Sequence, residues 1–325
     1  MRHKLNLIIH QDITLSDKNW FKTGGNAKFY CEPKNAAQFI EALALAKAAN
    51  WPIFVLGLGA NILISDNGWQ GLVIKPMIAE IKTSEAYQEN GVAYKDVTAG
   101  SGVIFQDLIN YCLDNNLKDL QEFSGIPGTV GGSVFINIHY FNALLSNYLT
   151  KATVVEKSTG QLMQVDNQWF EFGYNTSKLQ TNDYYLLEAT FRLTECTYLE
   201  AAYLKGRRDE TIRYRNWRYP SSGTCGSFFR NFKPDEVTLE SNGKKMIYVA
   251  YYLDKLGIKG ELKIGGAIVS HQHANMLVNT GSATSKDIIE LARTMQEMVY
   301  DKFKIICQPE CIFVGFDNYP LLKHQ

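Results

Sequence analysis

The sequence predicts an α+β protein of two or three domains, and three observations predict it. Strand-turn-strand grammar fills residues 54–74, apolar residues recur at helical spacing over 36–49 and again over 285–303, and strand-like runs return between the helical stretches. A length of 325 residues is enough for several cores.

The first helix runs from Ala36 to Ala49 (AAQFIEALALAKAA) and stops near Asn50-Trp51-Pro52, where proline cannot continue a helix. Short apolar runs follow at Phe54-Val55-Leu56, Ile62-Leu63-Ile64 and Leu72-Val73-Ile74, separated by glycine and polar turns. After Pro76 the pattern restarts, with a strand at Val92 to Ala99 and a helix at Phe105 to Asn115. A Gly/Pro-rich loop then spans 124–132, and strands are expected at 152–157, 162–165 and 184–193. Residues 199–213 read as a charged helix leading into a polar boundary segment at 214–227. Beyond it lie helices at Tyr248 to Leu256 and Ser285 to Phe303, with strands Ala267-Ile268-Val269 and Met276-Leu277-Val278 between them. Ser285 reads as an N-cap, and Ile288, Ile289, Ala292, Met295, Val299 and Phe303 form one apolar face. The expected division is therefore 1–77, 78–216 and 217–303, followed by a C-terminal segment at 304–325.

The 33 basic and 33 acidic side chains balance, which gives no electrostatic case for nucleic acid or anionic lipid as main partner. Six cysteines are scattered, with no CxxC and no histidine at metal-ligand spacing, so reduced thiols and no metal are expected. The apolar run within Met1 to Asp12 is too short for a signal peptide, and no stretch approaches a membrane span; a cytoplasmic location is expected.

Chemistry concentrates in three places. Gly57-Leu58-Gly59-Ala60-Asn61 lacks the third glycine of a dinucleotide fingerprint, and strand-like Ile62-Leu63-Ile64 follows where that fingerprint needs a helix. What remains is a tight turn or an anion nest of backbone N–H groups. In Ser124-Gly125-Ile126-Pro127-Gly128-Thr129-Val130-Gly131-Gly132 the side-chain bulk is missing over a short run, which suits close approach to a phosphorylated or flat ligand. Two such loops favour a nucleotide cofactor lying across them. Ser227, in Cys225-Gly226-Ser227-Phe228-Phe229-Arg230-Asn231, has no GxSxG elbow and no fixed base, so its readings are proton donor or turn serine. Glu310 heads an apolar strand, where burial would suit it to acid or base work and edge solvation would explain it equally.

Taken with Asn19-Trp20-Phe21-Lys22-Thr23-Gly24-Gly25-Asn26-Ala27, Gly257-Ile258-Lys259-Gly260, Ile264-Gly265-Gly266-Ala267, His273-Ala274-Asn275 and Pro309-Glu310, the whole chain resembles the UDP-N-acetylenolpyruvoylglucosamine reductases of peptidoglycan synthesis. The resemblance implies a two-part FAD-binding region of the vanillyl-alcohol-oxidase (VAO/PCMH) type, to which 304–325 returns, plus a C-terminal α+β substrate domain. It implies non-covalent FAD held by Gly57, Leu58, Gly59, Ala60, Asn61, Ile62, Gly100, Ser124, Gly125, Pro127, Gly128, Thr129, Gly131, Gly132 and Ser133. It also implies NADPH as co-substrate, hydride delivery to C3 of an enolpyruvyl group, protonation of C2 by Ser227, and stabilisation of the intermediate by Glu310. Tyr174, Arg230, Asn231 and Lys259 fall on positions near the UDP-sugar substrate.

Two departures stand out. Relatives carry Tyr-Arg-x-Ser where this chain has Tyr174-Asn175-Thr176-Ser177, so Asn175 occupies the position of an arginine that faces the enolpyruvyl carboxylate. Arg215, Arg218 and Arg230 are candidates to replace that charge. Where relatives run Asn-x-Gly-Ala-Tyr-Gly, this chain has Asn137-Ile138-His139-Tyr140-Phe141-Asn142, and His139 is either a structural histidine or a new ligand contact. These departures motivate two alternatives to the reductase: a flavin oxidoreductase of the same fold with another substrate, and a catalytically weakened FAD-binding homologue.

Overall fold

The computed structural model describes residues 7–140 and 142–323; the reading of Met1 to Asn6, and Phe141, lie outside them. The described residues hold six α-helices: α1 (Ala36–Ala48), α2 (Phe105–Asp114), α3 (Val130–Phe135), α4 (Tyr198–Arg218), α5 (Val249–Asp254) and α6 (Ser285–Phe303). With the strands between them, the class is α+β as expected. The chain groups into two compact units, Met1–Gln11 with Phe29–Leu58 and Gly71–Arg215, and Asp12–Lys28 with Gly59–Gln70 and Asn216–Gln325.

The first unit is organised by an antiparallel sheet in the order Leu162–Asp166, Leu149–Glu156, Tyr184–Thr194, Val92–Gly100, Ile81–Thr83. Its central strand feeds both faces. Tyr185 and Leu187 join Phe39, Ala42, Leu43 and Ala46 of α1 in one core, while Leu186, Ala189, Phe191 and Leu193 join Phe105, Leu108 and Ile109 of α2 in the other. Strict alternation would not put 186 and 189 together. Thr153 pairs with Glu188 and Val154 with Leu186, so one extra residue bulges out and switches the faces beyond it. A parallel pair, Ile53–Val55 against Leu72 to Ile74, leads into the first glycine turn.

In the second unit α6 packs its apolar stripe, Ile288, Ala292, Met295 and Val299, into a core with Phe228, Phe229, Tyr252 and Leu253. Its N-cap is Thr284 rather than Ser285: the Thr284 hydroxyl accepts from Asp287 N at 3.1 Å, and Asp287 Oδ2 accepts from Thr284 N at 3.0 Å. Those backbone donors hold the Asp287 carboxyl below its usual range. Ser285 instead accepts from Asp66 N, and Asp66 accepts from Ser285 N and Lys286 N. Serine ranks above threonine as a cap, so the choice of Thr284 is made by its extended backbone (φ -86°, ψ 164°) rather than by residue preference.

All six cysteines are free thiols, and no group of His, Cys, Asp and Glu able to hold a metal occurs among the described residues. No helix there is long and apolar enough to cross a membrane.

Candidate active site

In the first unit the two glycine runs meet. A Cβ built on Gly57 would lie 2.9 Å from Thr129 Oγ1, so a side chain at 57 would press on the second run. The sequence expectation of a loop over 124–132 needs correction at its end, because Val130 to Phe135 is the helix α3, N-capped by Thr129 through Gly132 N at 3.2 Å. Two consecutive glycines weaken a helix by propensity, and tertiary bonds restore it: Gly131 N donates to Ser101 O at 2.9 Å and Val130 N to Val103 O at 2.8 Å. Upstream, Ser124 Oγ donates to Gln121 O, Gly125 N to Gln106 Oε1, and Phe105 N to Gly128 O, which ties the Pro127 turn to the start of α2. Gly100 ends its strand beside this turn, its N–H bonded to Glu80 O. Two hydroxyls remain buried without a partner, Ser101 Oγ and Ser133 Oγ. Buried polar atoms normally find hydrogen bonds, and these two hydroxyls lie without one beside glycine backbone.

A second cluster in the same unit holds the departures from the family pattern. Asn137, in the left-handed region at φ 47°, accepts from Ser146 N and donates to Gly173 O at 3.1 Å. Gln180 Nε2 donates to Phe135 O and to Asn175 O. These bonds hold the 173–176 turn against α3. His139 lies with its ring 4.9 Å from exposed Tyr174 and beside Asn175. Burial pushes the His139 pKa down, and Asn175 opposes that shift by accepting from the ring. Asn175 itself sits at φ 55°, a conformation asparagine adopts more readily than arginine. Arg215, at the end of α4, places its guanidinium 5.1 Å over the Tyr140 ring and its Cδ 3.0 Å from where a Cβ on Gly125 would stand.

In the second unit Gly59 adopts φ +69°, and a Cβ there would lie 2.6 Å from Asn19 Cα. Asn19 Nδ2 donates to Leu15 O and Thr23 O, whereas Asn19 Oδ1 and Thr23 Oγ1 are buried without a partner. Past half-buried Ala60, Asn61 reaches the C-terminal strand: its Nδ2 donates to Glu310 O at 3.4 Å and its carbonyl accepts from Ile312 N at 3.1 Å. Ile62 then starts the parallel pair with Ile312–Val314.

Glu310 is in turn bonded to the extended segment that follows Ser227. Glu310 N donates to Phe228 O at 2.8 Å, Arg230 N donates to Gln308 O at 2.9 Å, and Phe229 pairs with Pro309. Ser227 and Glu310, 83 residues apart in the chain, thus stand on adjacent antiparallel segments, both half-buried. The other three expected contacts are already engaged. Arg230 makes a two-pronged pair with Glu236 at 2.8 and 2.6 Å, Asn231 Oδ1 accepts from Val249 N at the start of α5, and exposed Lys259 pairs with Asp254 at 3.2 Å.

Sequence reasoning did not assign a role to Asn19, Thr23, Ser101 or Asn275. Asn19, Thr23 and Asn275 stand in runs that carry the family resemblance, but nothing in a sequence distinguishes a buried orphan hydroxyl from a solvated one.

Two family models match the chain, an FAD binding domain over residues 27–166 and the UDP-N-acetylenolpyruvoylglucosamine reductase C-terminal domain over 218–314. The chain is 30% identical over 314 residues to a UDP-N-acetylenolpyruvoylglucosamine reductase of Clostridium perfringens strain SM101, covering 94% of this chain and 93% of that one. It is 30% identical over 311 residues to the UDP-N-acetylenolpyruvoylglucosamine reductase 2 of Bacillus anthracis, covering 95% and 94%. The crystal structure of the reductase from Thermus caldophilus shares the fold, with a TM-score of 0.73 at 23% identity over 95% of this chain and 100% of that one.

Proposed function

This chain belongs to the UDP-N-acetylenolpyruvoylglucosamine reductase family, and on that premise we propose that it reduces the enolpyruvyl ether of UDP-N-acetylglucosamine to UDP-N-acetylmuramate in the cytoplasm, using NADPH and non-covalent FAD. The observation that carries the reading is the main-chain pairing of 228–230 with 308–311, which sets Glu310 against Phe228, the residue that follows Ser227. Bound FAD supplies hydride transfer from NADPH to C3 of the enolpyruvyl group.

The residues present fit that cofactor. Each unit carries a glycine turn lined by orphaned buried oxygens, Ser101 and Ser133 in one, Asn19 and Thr23 in the other. A Cβ on Gly57 would press on Thr129 Oγ1 at 2.9 Å and one on Gly131 on Ser101 O at 3.0 Å, so the glycines keep these segments closely packed.

Addition of hydride to C3 leaves negative charge at C2 and on the adjoining carboxylate, and this chain's residues answer that charge. Ser227 Oγ would donate its proton to C2, completing the reduced product, and regain one from solvent, while Glu310, on the neighbouring segment, would stabilise the intermediate. Asn175 offers a hydrogen bond where relatives place a cation. Arg215, packed on Gly125 and Tyr140, is the cation of that first-unit cluster. Tyr174 and Lys259 bind the sugar nucleotide, while Arg230 and Asn231 brace the segment that follows Ser227 through Glu236 and α5.

The test is a two-step stopped-flow experiment. NADPH should bleach the purified yellow protein, and the enolpyruvyl sugar nucleotide should restore its colour. Acid precipitation should release the flavin to the supernatant. A flavin that NADPH bleaches but that substrate leaves bleached would overturn the substrate assignment and favour another acceptor.

A further inference from the structure

We propose that Asn275 is the positioning residue that fixes where Ser227 stands relative to Glu310. The inference rests on the reading of Ser227 as proton donor and adds the group that holds it in place. The Phe228–Arg230 segment has two hydrogen-bonding edges. One faces 308–311, where Phe228 O accepts from Glu310 N at 2.8 Å and from Cys311 N at 3.3 Å. The other edge presents Phe228 N, Phe229 N and Phe229 O, and a single residue takes all three. Phe228 N donates to Asn275 O at 2.8 Å, Phe229 N to Asn275 Oδ1 at 3.0 Å, and Asn275 Nδ2 donates to Phe229 O at 2.7 Å.

The chemistry requires an amide at this distance. A carboxylate has no donor for Phe229 O, an alanine has neither donor nor acceptor, and glutamine is one methylene too long for the same fork. Asn275, Phe228 and Phe229 are 2%, 0% and 1% exposed, so water does not compete for these bonds.

The amide is itself mounted on a rigid turn. Ser270 N donates to Met276 O at 2.8 Å, Met276 N to His273 O at 3.1 Å, and Asn275 N to His273 Nδ1 at 3.3 Å, closing a loop between the paired strands Ala267–Val269 and Leu277–Asn279. On the free side of Phe228, Ser227 follows Gly226, whose backbone is left-handed at φ 79° with nothing within 4 Å of a Cβ. On that side Gly226 N donates to Thr224 Oγ1 at 3.2 Å, and on the other the anchored Phe228 fixes where the serine stands. A displacement of about 1 Å at a reacting group costs on the order of a hundredfold in rate.

The test compares Asn275→Ala and Asn275→Asp with the parent and with Ser227→Ala, all as FAD-loaded full-length proteins, in separate half-reactions. Asn275→Ala should bind FAD, reduce it with NADPH at nearly the parental rate, and reoxidise with substrate roughly ten- to a hundredfold more slowly, through kcat rather than KM. Asn275→Asp should be slow at neutral pH, where its carboxylate repels Phe229 O, and should regain rate on acidification, because the protonated acid restores the donor. Burial should place that recovery above the usual carboxylate range of about 4. A purely structural role would depress both half-reactions together and give no acid limb; either result, or parental reoxidation in Asn275→Ala, would overturn the proposal. If Asn275→Ala fails to fold, the acid limb of Asn275→Asp decides alone. Parental reoxidation in Ser227→Ala would sink the assignment of Ser227 itself, whereas slow Ser227→Ala beside parental Asn275→Ala would sink only the role of Asn275.

Discussion

The cluster around Asn175 in the first unit and the segment that follows Ser227 in the second are built on different principles. Ser227 and Glu310 are placed by main-chain bonds: 228–230 against 308–311 on one edge and Asn275 on the other. The Asn175 turn is held by its own Gly173–Thr176 main-chain pair and by side-chain amides of Asn137 and Gln180, and His139 and Arg215 add contacts of ring on ring with Tyr174 and guanidinium on ring with Tyr140. The departures from the family pattern fall in the Asn175 cluster. A side chain can be exchanged there while neighbours refill the space; a shift in a main-chain ladder would move every residue on it.

The largest effect expected concerns glycine. Gly59→Ala combines a left-handed φ of +69° with a Cβ 2.6 Å from Asn19 Cα and 2.7 Å from Lys18 O. It should cost roughly 3 kcal/mol or more, against about 1 kcal/mol for Gly226→Ala, where φ is also positive but the space is open. Urea midpoints of the two variants measure the difference, and equal losses would remove the packing argument. Gly57→Ala, whose Cβ would meet only a hydroxyl, should instead lower FAD content with a smaller loss of stability.

Next comes Ser227→Ala, expected to slow reoxidation by substrate about a hundredfold while leaving NADPH-to-flavin reduction nearly intact, as removal of a positioned acid should. Equal slowing of both half-reactions would recast Ser227 as structural.

The arginine comparison is smaller. Arg215→Ala should slow reoxidation about tenfold, the loss of one cation near developing charge. Arg230→Ala should mainly destabilise the protein, since it removes the two-pronged pair with half-buried Glu236. Asn175→Arg should partly rescue Arg215→Ala, though holding a long side chain at φ 55° costs about 1 kcal/mol of the gain. Absence of rescue in a folded, FAD-loaded double variant would favour an enzyme built for another substrate.

The mildest prediction concerns pH. Burial lowers the pKa of His139 and of His273 from the ordinary 6.5, with Arg218 adding to the effect at His273. The unfolded chain therefore takes up protons first on acidification. Stability is full above about pH 6.5 and declines below it, until the folded-state histidines also protonate. His273→Gln should flatten this decline in thermal unfolding midpoints measured from pH 7.5 to 5; an unchanged slope would exclude His273 as a contributor.

Much of the fold was legible. The helices over 36–48, 105–114 and 285–303 appear where apolar spacing and proline place them, because helical periodicity is a local property. Gly131-Gly132 reads as loop yet lies in α3, since bonds from Val103 and Ser101 override its weak local propensity. Ser285 reads as a cap yet leaves that role to Thr284, a choice between like neighbours that the chain's path makes.

By itself, the sequence determined the class, the order of elements and the residue types able to do the chemistry, because turns, periodicity and side-chain inventory are local. Only the tertiary structure decided which of them meet. It bonded Glu310 to Phe228, the neighbour of Ser227, engaged Arg230 with Glu236, and left Ser101, Ser133, Asn19 and Thr23 with orphaned oxygens. Hydrogen bonds between distant segments are satisfied only after the chain has closed on itself, so neither their presence nor their absence is written in any local pattern.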